Sequence, residues 1–189
     1  LPFLLNCDEP MRSLVVQPLE ANLRAMKAAL AASGPPPHLG LTYRAGMKET
    51  GLLHKEAPLE ELVNVCLEFP GTLLNLQREI TTSESQSIEQ LLGSRLKNFS
   101  SYNNDLEDML ALMTLLDEYI GVSNTNMHLR AASGKRARVL ITHPADYRWM
   151  AAGEISPWFP GFDLYRQSSD LSWKEALVKL KGDLKEAHG

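Results

Sequence analysis

A polar turn follows a short apolar run in the second half of the chain. Residues 119–122 (YIGV) lead into residues 123–128 (SNTNMH). This pattern predicts a buried strand, a tight turn and a helix that begins inside the turn. Unpaired amides and the positive end of a helix dipole bind phosphates where a helix starts beyond a parallel strand. Ser123, Asn124 and Thr125 are therefore candidates for holding a diphosphate. The alternative is simple helix capping, since all three residue types are favoured N-caps.

Four further residues could join such a site. His128 falls in the first turn of the predicted helix and would face the same anion, although a lone histidine is as readily structural. Arg44 follows the apolar run 39–43, and an arginine where a strand opens into a loop can bind phosphate in bidentate fashion. Gly46 would let the backbone approach a ligand, and Lys55 could reach the same crevice. The alternative for both cations is that they are solvated loop residues.

A loop rich in proline and aromatic residues spans residues 142–161. Its composition predicts a rigid loop packed on the domain, which could also form a wall of a ligand pocket through Arg148 and Trp149. His143 and Asp146 are close in sequence, but no nucleophile accompanies them to complete a hydrolytic triad.

Several classes of site are absent from the sequence. Neither Cys7 nor Cys66 has a neighbouring Cys or His at the intervals of a zinc site. The chain also lacks a G-x-G-x-x-G fingerprint and a Walker lysine loop, which argues against a dinucleotide dehydrogenase or an NTPase. We therefore expect neither a metal nor a cofactor.

Alternating elements must position these residues. Apolar runs predict strands at 39–43, 72–76, 97–99, 119–122, 138–141 and 164–166. Helical periodicity predicts helices at 19–32, 58–66, 88–92, 106–116, 125–133 and 172–184, the last opened by a capping box at Ser172. Connections too long for hairpins imply a parallel sheet, and ligands of such sheets bind beyond the carboxyl ends of the strands. The fold class is α/β, with a Rossmann-like parallel sheet flanked by helices.

The amino-acid composition limits the class of protein, its partners and its location. The chain has 189 residues, is 44% hydrophobic and 22% charged, and carries a net charge of −4, which argues against a nucleic-acid partner. The pattern around Cys66 predicts a reduced core thiol, so we expect a cytoplasmic location. No apolar run approaches the roughly 20 residues of a membrane span. The start lacks a methionine, so we expect a piece of a longer protein.

Five segments in the same order are similar to heptosyltransferase-type glycosyltransferases of the GT-B fold. They are residues 40–46 (GLTYRAG), 122–135 (VSNTNMHLRAASGK), 144–149 (PADYRW), 156–160 (SPWFP) and 165–167 (YRQ). The likeness covers about residues 38–185 and is greatest to the bacterial branch often joined to tetratricopeptide repeats.

The resemblance implies the donor-binding half of a GT-B enzyme, which binds a nucleoside diphosphate sugar without a metal. It implies diphosphate contacts from the turn and His128, and phosphate contacts from Arg44 and Lys55. It also implies an N-terminal domain for an unknown acceptor. Residues 1–33 would then be the tail of that domain and a linker helix, and residues 34–189 the donor domain. We expect no catalysis without the other half.

Departures from the family pattern leave a second hypothesis open. Ser123 stands where heptosyltransferases carry Asp, and Asn126, Met127 and Arg130 stand where they carry small residues. These residues would bring bulk and charge into the phosphate turn. The alternative is a degenerate domain that serves as a non-catalytic interaction module. A sheet enzyme that uses sugar nucleotides, such as an epimerase, is a third possibility that the Trp–Pro loop fits less well.

Overall fold

Strands and helices alternate along the chain. The structure is a computed structural model that describes residues 14–45 and 54–189. The strands are β1 (His38–Thr42), β2 (Arg44–Ala45), β3 (Lys55–Glu56), β4 (Thr72–Asn75), β5 (Leu96–Asn98), β6 (Glu118–Val122), β7 (Arg138–Ile141) and β8 (Asp163–Arg166). The helices are α1 (Glu20–Ser33), α2 (Leu59–Cys66), α3 (Thr82–Leu92), α4 (Leu106–Leu115), α5 (Thr125–Ala132) and α6 (Lys174–His188).

The main sheet is parallel throughout. Within the described residues, its strands pair in the order β5-β4-β1-β6-β7-β8. The first strand, β1, lies in the middle of the sheet. Strands β4 and β5 are added on one side of it and β6, β7 and β8 on the other, so the strand order reverses between β1 and β6. Ligands of open α/β sheets bind in the crevice that such a reversal creates. The predicted α/β class with a Rossmann-like sheet is confirmed.

Both faces of the sheet are covered by helices, as a parallel sheet requires. Period-two alternation sends one set of strand side chains toward α2 and α6, namely Leu39, Leu41, Ile120, Val122 and Leu140. The other set packs with α4 and α5 and includes Leu74, Tyr119, Val139, Ile141 and Leu164. The predicted core thiol of Cys66 is fully buried in the first cluster.

Helix α1 packs on the same domain as the sheet. Met26 and Leu30 are buried in the cluster around α4, and Asn22 Nδ2 donates to Asp108 Oδ1 at 2.8 Å. The division of the chain near residue 33 remains a prediction. Of the helices in the described ranges, none has the length and apolar character that crossing a bilayer demands.

Three elements differ from the sequence predictions. Helix α3 begins at Thr82 because Thr81 and Glu84 form a reciprocal capping box ahead of its apolar residues. The predicted loop after β1 contains the short antiparallel pair of β2 and β3. The capping box predicted at the last helix is wrong, since α6 begins after Trp173 without a side-chain cap and extends to His188.

Candidate functional site

The turn after β6 is held by a buried polar network. Asn124 caps α5, because its Oδ1 accepts from the Met127 amide at 3.3 Å. Its Nδ2 donates to Thr42 Oγ1 at 2.9 Å, and Thr42 Oγ1 lies 2.8 Å from the Tyr119 hydroxyl. Burial raises the pKa of Tyr119 to about 12, so its phenol stays neutral. A Cβ on Gly121 would lie 2.2 Å from Thr42 Oγ1, so only glycine leaves room for this network.

Capping accounts for Asn124 but leaves other groups of the turn available. The amides of Thr125 and Asn126 lie in the first turn of α5, where no carbonyl of the helix precedes them as an acceptor. The first turn of α5 contains no acidic residue. Helix capping and anion binding can therefore operate together at this turn.

A polar groove opens on one side of the turn, beyond the carboxyl ends of β1, β4 and β6. Its volume is about 410 Å³, and the residues that line it include Thr42, Arg44, Gln77, Arg78, Asn103, Leu106, Met109, Asn124, Thr125 and Asn126. Asn126 Nδ2 donates to Asn103 Oδ1 at 3.1 Å, and Asn103 Nδ2 donates to the Leu76 carbonyl at 3.0 Å. Amide side chains thus join three strand ends around a groove that has both polar and apolar walls.

Arg44 reaches the groove but is paired with a carboxylate. Its Nε and Nη2 donate to the two oxygens of Glu84 at 2.7 and 3.0 Å, and Nη2 also donates to the Glu79 carbonyl at 2.6 Å. Burial opposes the charge of Glu84, but the hydrogen bonds from Arg44 and Thr81 outweigh it and lower its pKa to about 2. Arg44 therefore joins β2 to α3, and a phosphate would have to compete with Glu84 for it.

A second group of charges contacts the turn and does not line the groove; we call Lys55, His128, Asp146 and Arg148 the cation cluster. Lys55 Nζ is 3.1 Å from Asp146 Oδ2 and 3.5 Å from the Ser123 carbonyl. Arg148 binds Asp146 through Nε at 3.1 Å and Nη2 at 3.0 Å. The Lys55 and Arg148 side chains are only 13% and 25% exposed, so this is a largely buried arrangement.

His128 contacts Arg148. Its Nε2 is 3.2 Å from Arg148 Nη1, and its ring meets Phe159 edge-on with centroids 5.2 Å apart. A guanidinium can only donate, so Nε2 accepts and the ring is neutral with its proton on Nδ1. Burial, together with the charges of Arg148 and Lys55, lowers the pKa of His128, while Asp146 opposes the shift. His128 thus serves first as a support for Arg148.

The loop after β7 packs on the domain, as its composition predicts. Arg166 donates to the carbonyls of Trp149, Met150, Ala152 and Gly153. The Trp149 side chain is 1% exposed and stacks on Phe159 with centroids 4.7 Å apart, so it lies in the core and lines no part of the groove. Arg148 does reach the site through the cation cluster. Gly46 lies outside the described residues.

Two residues that differ from the family pattern, Met127 and Arg130, have side chains that point away from the turn. Met127 is fully buried in the core on the α4 side of the sheet. Arg130 is 2% exposed, and its guanidinium donates to the carbonyls of Met113, Leu116 and Arg136 near the end of α4. Burial lowers its pKa to about 10. The expectation that these residues bring bulk and charge into the phosphate turn is therefore wrong.

Sequence reasoning missed several residues of the site, notably Gln77, Asn126 and Asp146. Gln77 comes shortly after strand β4, so attention to the end of that strand would have found it. Asp146 gave no such signal, because its role depends on Lys55, which is distant in sequence. Among residues 14–45 and 54–189, no three His, Cys, Asp or Glu side chains converge as a metal site would require.

Comparison with known proteins yields one curated relative and one solved structure of note. No protein-family model matches the chain. Protein FlbA of Caulobacter vibrioides is 25% identical over 181 residues, a match that covers 94% of this chain and 30% of that protein. The chain thus spans less than a third of the length of this relative.

The crystal structure of a glycosyl transferase family 9 protein from Veillonella parvula superposes with a TM-score of 0.67. The match covers 93% of this chain and 55% of that chain at 11% sequence identity. At this identity the likeness shows a shared fold.

Proposed function

We propose that this chain is the donor-binding domain of a glycosyltransferase and that it binds a nucleoside diphosphate sugar at the start of α5. The observation that carries this proposal is the arrangement around Asn124 and Thr125. A groove with polar and apolar walls opens at the turn, and the cation cluster contacts the same turn through Lys55. The fold shared with a glycosyl transferase family 9 structure supports the same assignment.

The parts of such a donor match the parts of the site. The groove of about 410 Å³ offers the exposed side chain of Leu106 to a base and amide side chains to the ribose and base edges. The amides of Thr125 and Asn126 face the diphosphate at the positive end of the α5 dipole. In this assignment Asn124 holds the turn in place and Arg44 contributes only if Glu84 releases it.

The site would act on the leaving group of sugar transfer. The bond between the anomeric carbon and a phosphate oxygen breaks, an acceptor hydroxyl forms the new bond, and its proton passes to a base. Charge develops on the departing diphosphate, and amides and cations placed in advance stabilise it most effectively. We assign the acceptor and the base to a separate domain, in line with the GT-B resemblance.

Calorimetric titration tests the proposal. The ligands are ADP, GDP, UDP and CDP and their common sugar conjugates, each up to millimolar concentration, with the parent nucleosides as controls. We expect one base to bind with a Kd in the micromolar to millimolar range and its nucleoside to bind far more weakly. Absence of heat with every diphosphate would contradict the proposal.

A second candidate function is a non-catalytic interaction module. The observation in its favour is the exposure of large apolar side chains on the loop after β7, with Tyr147 71%, Met150 45%, Ile155 77% and Trp158 39% exposed. Aromatic residues and Met are enriched at protein interfaces. Under this reading, Asn124→Ala and His128→Ala leave the cellular role of the full-length protein intact, whereas Trp158→Ala removes it.

A further inference from the structure

The unused hydrogen-bonding capacity of the cation cluster consists of donors only. Each oxygen of Asp146 already accepts twice: Oδ1 from the Arg148 amide and Nε, both at 3.1 Å, and Oδ2 from Arg148 Nη2 at 3.0 Å and Lys55 Nζ at 3.1 Å. A carboxylate offers about four acceptor positions, so Asp146 has none left. A ligand group that needs an acceptor finds none here.

Several N–H groups of the cluster make none of these contacts. Arg148 carries five N–H groups, of which its Nε, one on Nη2 and one on Nη1 are used by Asp146 and His128. Lys55 uses one N–H on Asp146 and one on the Ser123 carbonyl. Within the described residues this leaves two N–H groups on Arg148, one on Lys55 and the Nδ1–H of His128. These donors match an oxyanion.

The net charge of the cation cluster indicates the charge of the anion that it would bind. Lys55 and Arg148 contribute two positive charges, Asp146 one negative charge, and neutral His128 none, so the sum is +1. Each phosphorus of a nucleoside diphosphate sugar carries one ester bond, one anhydride bond and one negative charge. A second phosphate that follows one bound at the start of α5 would therefore be neutralised by the cluster.

We propose that Arg148 and Lys55 bind the sugar-linked phosphate of the donor, with Asp146 and His128 as the residues that position them. The proposal rests on the function proposed above and assigns its two phosphates to different groups. The nucleoside-linked phosphate binds the first-turn amides of α5, and the sugar-linked phosphate binds the cluster beside the Ser123 carbonyl. Arg44 has no part in this contact, since Glu84 and the Glu79 carbonyl already bind its guanidinium.

Comparison of monophosphates with diphosphates tests this division. The variant is Arg148→Gln, and the matched control is Arg136→Gln, whose side chain is 75% exposed and pairs with Asp163, the first residue of β8. We expect Arg148→Gln to weaken diphosphate binding about tenfold, the value of one charge-assisted hydrogen bond, and monophosphate binding less than about twofold. Arg136→Gln should leave both unchanged, and circular dichroism checks that both variants fold.

A separate measurement tests whether His128 positions Arg148. His128→Ala should weaken diphosphate binding, and His128→Gln, whose amide oxygen can also accept from Arg148, should restore much of it at pH 8. No recovery of binding in His128→Gln would contradict the positioning role of His128.

The remaining outcomes are decisive. Equal loss of mono- and diphosphate affinity in Arg148→Gln, or loss of neither, overturns the assignment. If the wild type binds no nucleotide, the donor function fails, and titration with inorganic pyrophosphate then decides the cluster. Pyrophosphate binding that is lost in Arg148→Gln and kept in Arg136→Gln supports an oxyanion site, whereas no binding by the wild type overturns it.

Discussion

Asn124 Nδ2 donates to Thr42 Oγ1 at 2.9 Å and so joins the start of α5 to the carboxyl end of β1. Thr42 ends β1, and Asn124 follows β6, so the bond spans the point where the order of strands reverses. The same asparagine caps α5 through its Oδ1. A single side chain thus determines both where the helix begins and where its first amides lie relative to the groove.

Substitution of Asn124 separates these two roles. Asn124→Ala removes the cap and should lower the free energy of unfolding by about 1–2 kcal/mol. Asn124→Asp retains an acceptor for the cap but loses the donor to Thr42 and adds a negative charge, so it should remain within about 1 kcal/mol of wild type while losing anion binding. Urea unfolding and nucleotide titration of both variants measure the two effects. Full binding by Asn124→Asp would contradict this role for the turn.

Arg130 should matter for stability and not for ligand binding. Arg130→Met leaves the carbonyls of Leu116 and Arg136 without their buried donor, so the free energy of unfolding should fall by about 2–4 kcal/mol. The affinity of the folded variant for nucleotides should stay within about twofold of wild type. The matched control is Arg24→Met on α1, an arginine that is 70% exposed and should cost less than about 0.5 kcal/mol. Strong loss of nucleotide affinity in folded Arg130→Met would show that Arg130 belongs to the ligand-binding site.

Acid should weaken the link between Arg44 and Glu84. The pKa of Glu84 is about 2 in the folded chain and 4.5 ordinarily, so the unfolded chain takes up this proton first as the pH falls. The stabilisation is complete above pH 4.5 and is lost as the pH falls toward 2. After allowance for solvent screening we expect about 1 kcal/mol.

Urea unfolding from pH 7 downward measures this effect in wild type and Glu84→Gln. The difference in free energy of unfolding between the two proteins should shrink as the pH falls. Glu89→Gln, an exposed change on the same helix, serves as the control and should show no such convergence. A gap that is constant with pH would rule out the charge of Glu84 as its cause.

Donor binding should weaken as the pH falls through the pKa of His128. This pKa is lowered in the free domain, first by burial and then by Arg148. Protonation of Nε2 removes the acceptor for Arg148 Nη1, so only the neutral ring can position Arg148 for the phosphate. We expect the affinity for a nucleoside diphosphate sugar, whose phosphates do not titrate in this range, to fall between about pH 8 and 5.5.

Titration of the wild type against His128→Gln isolates this residue. The glutamine keeps an acceptor for Arg148 and does not titrate, so its affinity should be flat across the same range. A pH dependence that persists in His128→Gln would assign the proton to another group.

Local patterns were enough to locate most elements. Continuous apolar runs located β1, β4, β6 and β7, and the polar turn after Val122 was correctly placed at the start of α5. Errors arose where polar side chains decide an element, as in the capping box of Thr81 and Glu84 that starts α3 before its apolar residues begin. Helix caps depend on side-chain geometry, and the residue types alone predicted one at Ser172 that does not form.

The sequence by itself determined the α/β alternation, the carboxyl edge at which the site lies and the residues of the turn, because strand and helix periodicity are local properties. Only the tertiary structure decided which cations face a ligand. Arg44 lies 40 residues from Glu84 and Lys55 contacts Asp146 across the sheet edge, so their pairing is set by how the loops pack. Whether a charged side chain is available to a ligand depends on which group of opposite charge lies nearest to it, and the fold determines that group.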